Sequence, residues 1–143
     1  MRDIAERTAF LEDWVAALNV GAEEVVTFYT EETLYEERGI KVAIRGRENL
    51  RQFYRQLYPM FSNLAVTTRK SIVTADHAVV EWTMSGTLIG KIPEVPAPSS
   101  GEAPFSFEGA SILEFADDGR IAREAAYWSV ADLIQQISAP RSG

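Results

Sequence analysis

Cysteine is absent from the 143-residue chain, which excludes disulfides, thiol catalysis and thiolate metal sites together. Histidine occurs once, at His77, so a metal would find no second imidazole, and no metal cofactor is expected. Positive charge is in deficit. The 14 Lys and Arg stand against 21 Asp and Glu, a formal net charge of −7, and the cations are scattered. The basic stripe demanded by a polyphosphate backbone is missing, and nucleic acid is excluded as an expected partner. No apolar run approaches the length of a bilayer, and the amino-terminal MRDIAERTAFLEDW lacks the apolar segment of a secretion signal. A soluble, cytoplasmic protein with no membrane partner is the expectation.

What the chain does have is apolar and aromatic material: 46% hydrophobic residues, with 7 Phe, 5 Tyr and 3 Trp. That is enough for one core and one domain over residues 1–143, with the polar residues 139–143 as a frayed tail. Ile4, Thr8, Leu11, Val15 and Leu18 recur at helical spacing and Gly21 supplies a stop, predicting a helix over 4–19. A shorter helix follows over 22–29, then a strand over 33–37. A connection between Gly39 and Gly46 leads to a third helix over 47–60. There the period changes from 3.6 to 2. Strands are predicted over 64–74, 77–90, 105–115 and 120–128, the last pair joined by the turn Asp117, Asp118, Gly119, and a short helix over 130–137 has Ser129 as its N-cap. Between the middle strands, KIPEVPAPSSGEAP carries Pro93, Pro96, Pro98 and Pro104 and reads as a long loop over the sheet's edge. Helices followed by a meander of long antiparallel strands predict an α+β fold, a curved sheet around helices.

The stretch FYTEETLYEERG crowds four glutamates around the first strand. Strand parity puts Thr33, Tyr35 and Glu37 on one face and Leu34, Glu36 and Arg38 on the other, so one of Glu36 and Glu37 points inward. Glu31 and Glu32 read as a solvated rim. On the last strand Glu124 shares a face with Ala126 and Trp128, and parity alone does not choose between that face and the one carrying Arg123 and Tyr127. The many large rings, with polar atoms on Trp14, Tyr29, Tyr54 and Ser111 among the inward positions, suit a ligand cavity as well as they suit a dense core. A carboxylate in such a cavity has its ionised form disfavoured, which lifts its pKa toward neutrality and suits it to proton transfer. Paired with Arg38 or Arg45, the same group would be structural.

Four stretches, WVAALNVGAEEVVTFYTEETLYEERG, IRGRENLRQFYRQ, ILEFADDGRI and AAYWSVADL, in this order and spacing resemble the nuclear-transport-factor-2-like superfamily. Within it the chain is most similar to the ketosteroid isomerases and the SnoaL-like polyketide cyclases. The resemblance spans nearly the whole chain. It implies a cone-shaped α+β fold, a deep apolar pocket, a homodimer built on the sheet's outer face, and Glu37 and Glu124 facing inward. In ketosteroid isomerases a carboxylate moves a proton between two carbons of an enolisable ketone while a tyrosine and a protonated carboxylic acid stabilise the dienolate oxygen.

Carried over by position, the proton-shuttling carboxylate is Glu37, the oxyanion tyrosine is replaced by Trp14 and the oxyanion carboxylic acid by Ser111. Tyr29 and Tyr54 match the supporting tyrosines and Trp128 the pocket tryptophan. The cyclase branch shares the long loop and the ending LIQQI, but its acid–base aspartate is Ser129 here, and the aspartate relay of limonene epoxide hydrolases meets Ala126. The expectation is a cofactor-independent isomerase or cyclase acting by proton transfer on a hydrophobic, polycyclic carbonyl compound. Glu37 would be the base, Trp14, Tyr54 and Ser111 would polarise the oxygen, and Glu124 would be an acid. Tyr29, Tyr35, Trp82, Met84, Phe107 and Trp128 would hold the substrate. The rival expectation is a catalytically silent small-molecule-binding or partner-binding domain of the same fold.

Overall fold

The computed structural model describes residues 3–138; the expected frayed tail lies outside the described residues. Asp3 caps the first helix, α1 (Ile4–Leu18), by accepting from the Glu6 amide at 2.7 Å. The buried stripe of α1 is Arg7, Leu11, Trp14 and Ala17, rotated from the expected one, and Ile4 is exposed. Arg7 can be buried because its guanidinium donates to the carbonyls of Ala75 and Gly119 and lies 4.2 Å over the Phe115 ring.

The second helix, α2 (Ala22–Val25), passes through a tight turn at Val26–Phe28 directly into β1 (Tyr29–Glu37). Tyr29 therefore opens a strand and does not close a helix. The expected connection after Gly39 contains a further strand, β2 (Val42–Arg45), short enough to carry no clear alternation in sequence. Then follow α3 (Arg47–Leu57), a turn at Tyr58–Met60, β3 (Phe61–Val73), β4 (His77–Leu88), β5 (Ala103–Phe115), β6 (Ile121–Trp128) and α4 (Val130–Ser138). The six strands make one sheet in the order β2-β1-β6-β5-β4-β3.

The sheet is mixed, not the expected all-antiparallel meander, because β1 pairs β6 in parallel. The chain between these two strands includes α3 and four other strands, and so long a crossover allows parallel pairing. Curvature comes from a bulge in β3, where the register slips between Ser62 and Ala65 and Asn63 takes φ 54°. Gly86 lies against that bulge; a Cβ there would stand 3.1 Å from the Ser62 carbonyl oxygen. The outer edge of β3 is pinned to α1 by Asn19, whose side chain accepts from the Val66 amide at 2.7 Å and donates to the Val66 carbonyl at 2.8 Å.

β6 ends before β5 does, and α4 covers the strand edge left open. Gln136 takes the place of a strand residue there, accepting from Ser106 N at 2.8 Å and donating to Ser106 O at 2.9 Å. The proline-rich loop joins β4 and β5, which are neighbours inside the sheet, so it crosses the sheet's end and not its edge. Its Ile92, Val95 and Pro98 are buried, and Ser99 N donates to the Ile137 carbonyl. On the outer face Ile72, Val79 and Ile112 stand in register across three strands, 59%, 37% and 37% exposed. Among the described residues no helix is long and apolar enough to cross a membrane.

Candidate active site

Between the concave sheet face and the helices lies a cavity of about 110 Å³, room for roughly ten water-sized groups. One wall is a pair of flat rings, Phe107 stacked on Trp128 at 4.8 Å with 14° between planes, and Phe105 stacks behind Phe107 at 5.6 Å. Trp14, Tyr35, Glu37, Tyr54, Trp82, Met84, Phe107, Ser111, Glu124 and Trp128 all line it. Tyr29 does not line the cavity; it is wholly buried behind Glu124. Ile92 of the proline-rich loop and Leu133 of α4 complete the wall.

β1 alternates as parity requires. Thr33, Tyr35 and Glu37 are buried, whereas Glu36 turns outward to pair with Arg38 and Arg123 at 2.6 Å each. The arginine that could have made an inward carboxylate structural is thus spent on its neighbour. Glu37 Oε1 accepts from the Trp128 indole N–H and from the Gly39 amide at 3.0 Å, and Oε2 accepts from the Tyr35 hydroxyl at 3.0 Å. The carboxylate itself lines the cavity. Among the described residues no cation pairs with Glu37. Burial raises its pKa from the ordinary carboxylate value, and the Trp128, Tyr35, Gly39 and Ile40 hydrogen bonds hold that rise back. Gly39 supports Glu37 twice over, by its own amide and because a Cβ there would come within 2.1 Å of the Trp128 ring that bonds Glu37. The sequence marked Gly39 only as the start of a connection; its one signal was a glycine two residues beyond the inward glutamate.

Glu124, on β6, is the centre of a closed network. Tyr29 donates its hydroxyl to Glu124 Oε1 and accepts from Trp14 Nε1 at 3.1 Å. Ser111 donates to Glu124 Oε2 at 2.8 Å and accepts from Trp82 Nε1 at 3.0 Å. Two indoles thus feed two hydroxyls that both feed one carboxyl group. Burial pushes the Glu124 pKa up to about 7, against the two hydroxyl bonds that lower it, and the nearby Glu37 charge adds to the rise. Trp14 and Ser111, expected to polarise a substrate oxygen, have their donors directed at Tyr29 and Glu124. Trp82 similarly gives its N–H to Ser111 while its ring faces the cavity.

Four tyrosines meet near this end of the cavity. Tyr29 donates to Glu124, Tyr35 to Glu37, and Tyr58 to the Leu18 carbonyl at 2.7 Å. Tyr54 gives its hydroxyl to neither carboxylate; it stands beside the hydroxyls of Tyr29 and Tyr35 and lines the cavity. Burial holds the pKa values of Tyr29, Tyr35 and Tyr54 well above the ordinary phenol value, so all three are neutral donors.

A curled sheet wrapped on helices, with an aromatic cavity and two sheltered carboxyl groups, defines the cone-shaped α+β class of the nuclear-transport-factor-2-like superfamily. The SnoaL-like domain family matches residues 11–124, and the chain belongs to it. TsrD from Streptomyces laurentii is 25% identical over 98% of this chain and 100% of its own, with a TM-score of 0.81. A hypothetical protein of ketosteroid isomerase-like fold from Catenulispora acidiphila, solved with trimethylamine, is 23% identical over 92% of this chain and 93% of its own, at 0.76. A Silicibacter protein whose polyketide cyclase name is itself provisional is 20% identical over 93% and 96%, at 0.80. No curated protein matches the chain.

Proposed function

We propose that this protein is a cofactor-independent enzyme of proton transfer, an isomerase or cyclase acting on a hydrophobic, ring-bearing carbonyl compound. The observation that carries this reading is Glu37: a carboxylate on the wall of an apolar cavity, raised in pKa by burial, free of any cation partner among the described residues, and aimed by three donors. A base so placed can take a proton from a carbon next to a carbonyl group. The enolate oxygen that forms needs a donor, and Tyr54 is the cavity tyrosine whose hydroxyl is given neither to a carboxylate nor, as Tyr58's is, to a backbone carbonyl. The stacked rings of Phe107 and Trp128 offer a flat wall for the substrate's ring system.

The test is solvent deuterium exchange into β-tetralone, an apolar enolisable ketone, followed by NMR. The wild type is expected to accelerate exchange and Glu37→Gln to abolish the acceleration while keeping its fold and its affinity for the ketone. Full acceleration by Glu37→Gln would end the assignment.

A passive binding domain is favoured by one observation, the commitment of the Trp14 and Ser111 donors to Tyr29 and Glu124. Titration with phenols of graded acidity separates the two readings. Affinity that climbs with phenol acidity marks a working oxyanion site, whereas indifference to acidity marks a passive pocket.

A further inference from the structure

The two carboxyl groups are not separate sites. From Glu37 the Tyr35 hydroxyl leads inward, from Glu124 the Tyr29 hydroxyl does the same, and the Tyr54 hydroxyl stands beside both. We infer that Glu37 and Glu124 are the two ends of a proton relay running through Tyr35, Tyr54 and Tyr29, and that one proton is shared between them.

Each hydroxyl has one proton to give and can accept at its oxygen, so a chain of three hydroxyls between two carboxyl groups has two complete arrangements. With the proton on Glu37, Glu37 donates to Tyr35, Tyr35 to Tyr54, Tyr54 to Tyr29 and Tyr29 to the Glu124 carboxylate. With the proton on Glu124 every one of these bonds reverses. Passing between them breaks one O–H bond and makes another at each tyrosine oxygen, breaks one at Glu37 and makes one at Glu124. A proton leaves Glu37, another arrives on Glu124, the tyrosines end neutral and the charge on the pair is unchanged. Trp14 donates to Tyr29 in both arrangements and holds that hydroxyl in place. The hops must be concerted, because burial makes a free tyrosinate in this chain costly.

Glu124 also lines the cavity, so the second resting place for the proton is itself within reach of a ligand. In turnover, which rests on the proton-transfer reading above, Tyr54 turned toward the enolate oxygen opens the chain, and its return to Tyr29 or Tyr35 once the product forms lets the two carboxyl groups share their proton again before the next substrate.

The relay is tested in the ligand-free protein, so its failure is separable from failure of the proposed activity. Tyrosine labelled with ¹³C at the ζ carbon reports each hydroxyl. Glu37→Gln, at one end, is expected to shift the Tyr29 resonance at the other end, and most of that shift is expected to vanish when Tyr54→Phe is added. An equal shift with and without the Tyr54 hydroxyl would mean that the two ends sense only each other's charge, and would overturn the relay. Tyr35→Phe cuts the chain at a different link and reads the same quantity should Tyr54→Phe fail to fold. The wild type alone gives a third reading: all three resonances must move together through one titration step, whereas a proton fixed on one residue moves only the tyrosine bonded to it.

Discussion

Glu37 on β1 and Glu124 on β6 face one cavity from neighbouring parallel strands, with Tyr35 in register beside Glu124 and Glu37 beside Ala126. Among the described residues neither has a cationic partner. Burial raises both pKa values, and at Glu124 the nearby Glu37 charge adds to the rise. Glu124 therefore holds its proton up to about pH 7.

Stability should fall as pH rises between about 5 and 8. Glu124 binds its proton more tightly folded, at about 7, than unfolded, at 4.5, so raising the pH through this window costs the folded state a proton that the unfolded state has already lost. The full effect is on the order of 3 kcal/mol. Glu37 adds to it with the same sign. Urea unfolding at the two ends of the window should show the drop, and Glu124→Gln should flatten it.

Trp128→Phe keeps a ring in the wall but removes an N–H bond to the Glu37 carboxylate. Losing a hydrogen bond to a charged group, about 1.5–3 kcal/mol, should lift the Glu37 pKa by roughly one to two units. Because the base works ionised, the rising limb of the exchange-rate profile should move to higher pH by the same amount. A profile that stays in place would show that Trp128 is only a wall.

Gly39→Ala puts a methyl group where Trp128 already sits, and the clash should cost about 1–3 kcal/mol. Most of that cost should disappear in a Trp128→Ala background, so a double-mutant cycle by urea unfolding should give strong non-additivity.

Gln136→Ala should loosen α4 without unfolding the cone. The freed Ser106 groups are at the surface, where water replaces the lost bonds, so the global loss should be about 0.5–1.5 kcal/mol. Hydrogen exchange should instead accelerate locally at the Ser106 amide.

Much of the fold was legible because its signals were periodic. β4 alternates apolar and polar residues, Asp117 to Gly119 form the expected turn, and Ser129 caps α4 as expected, donating no surprise at the sequence level. β2 was hidden because four residues are too few to show a period, and the parallel pairing of β1 with β6 because a register between distant strands leaves no local mark. Parity narrowed the inward glutamate to Glu36 or Glu37, and the structure puts Glu37 inside while two arginines draw Glu36 out. The commitment of the Trp14 and Ser111 donors could not be read in advance. It depends on which acceptors stand within 3.1 Å of the Trp14 indole and the Ser111 hydroxyl across α1, β1, β5 and β6.

Trp128 is at once a panel of the hollow and a governor of its base. On the proton-transfer reading, any lineage, or any engineer, that trims this side chain to admit bulkier guests will also reset the acidity at which the protein works. Guest size and working acidity are inherited here as one trait, and selection on either drags the other along.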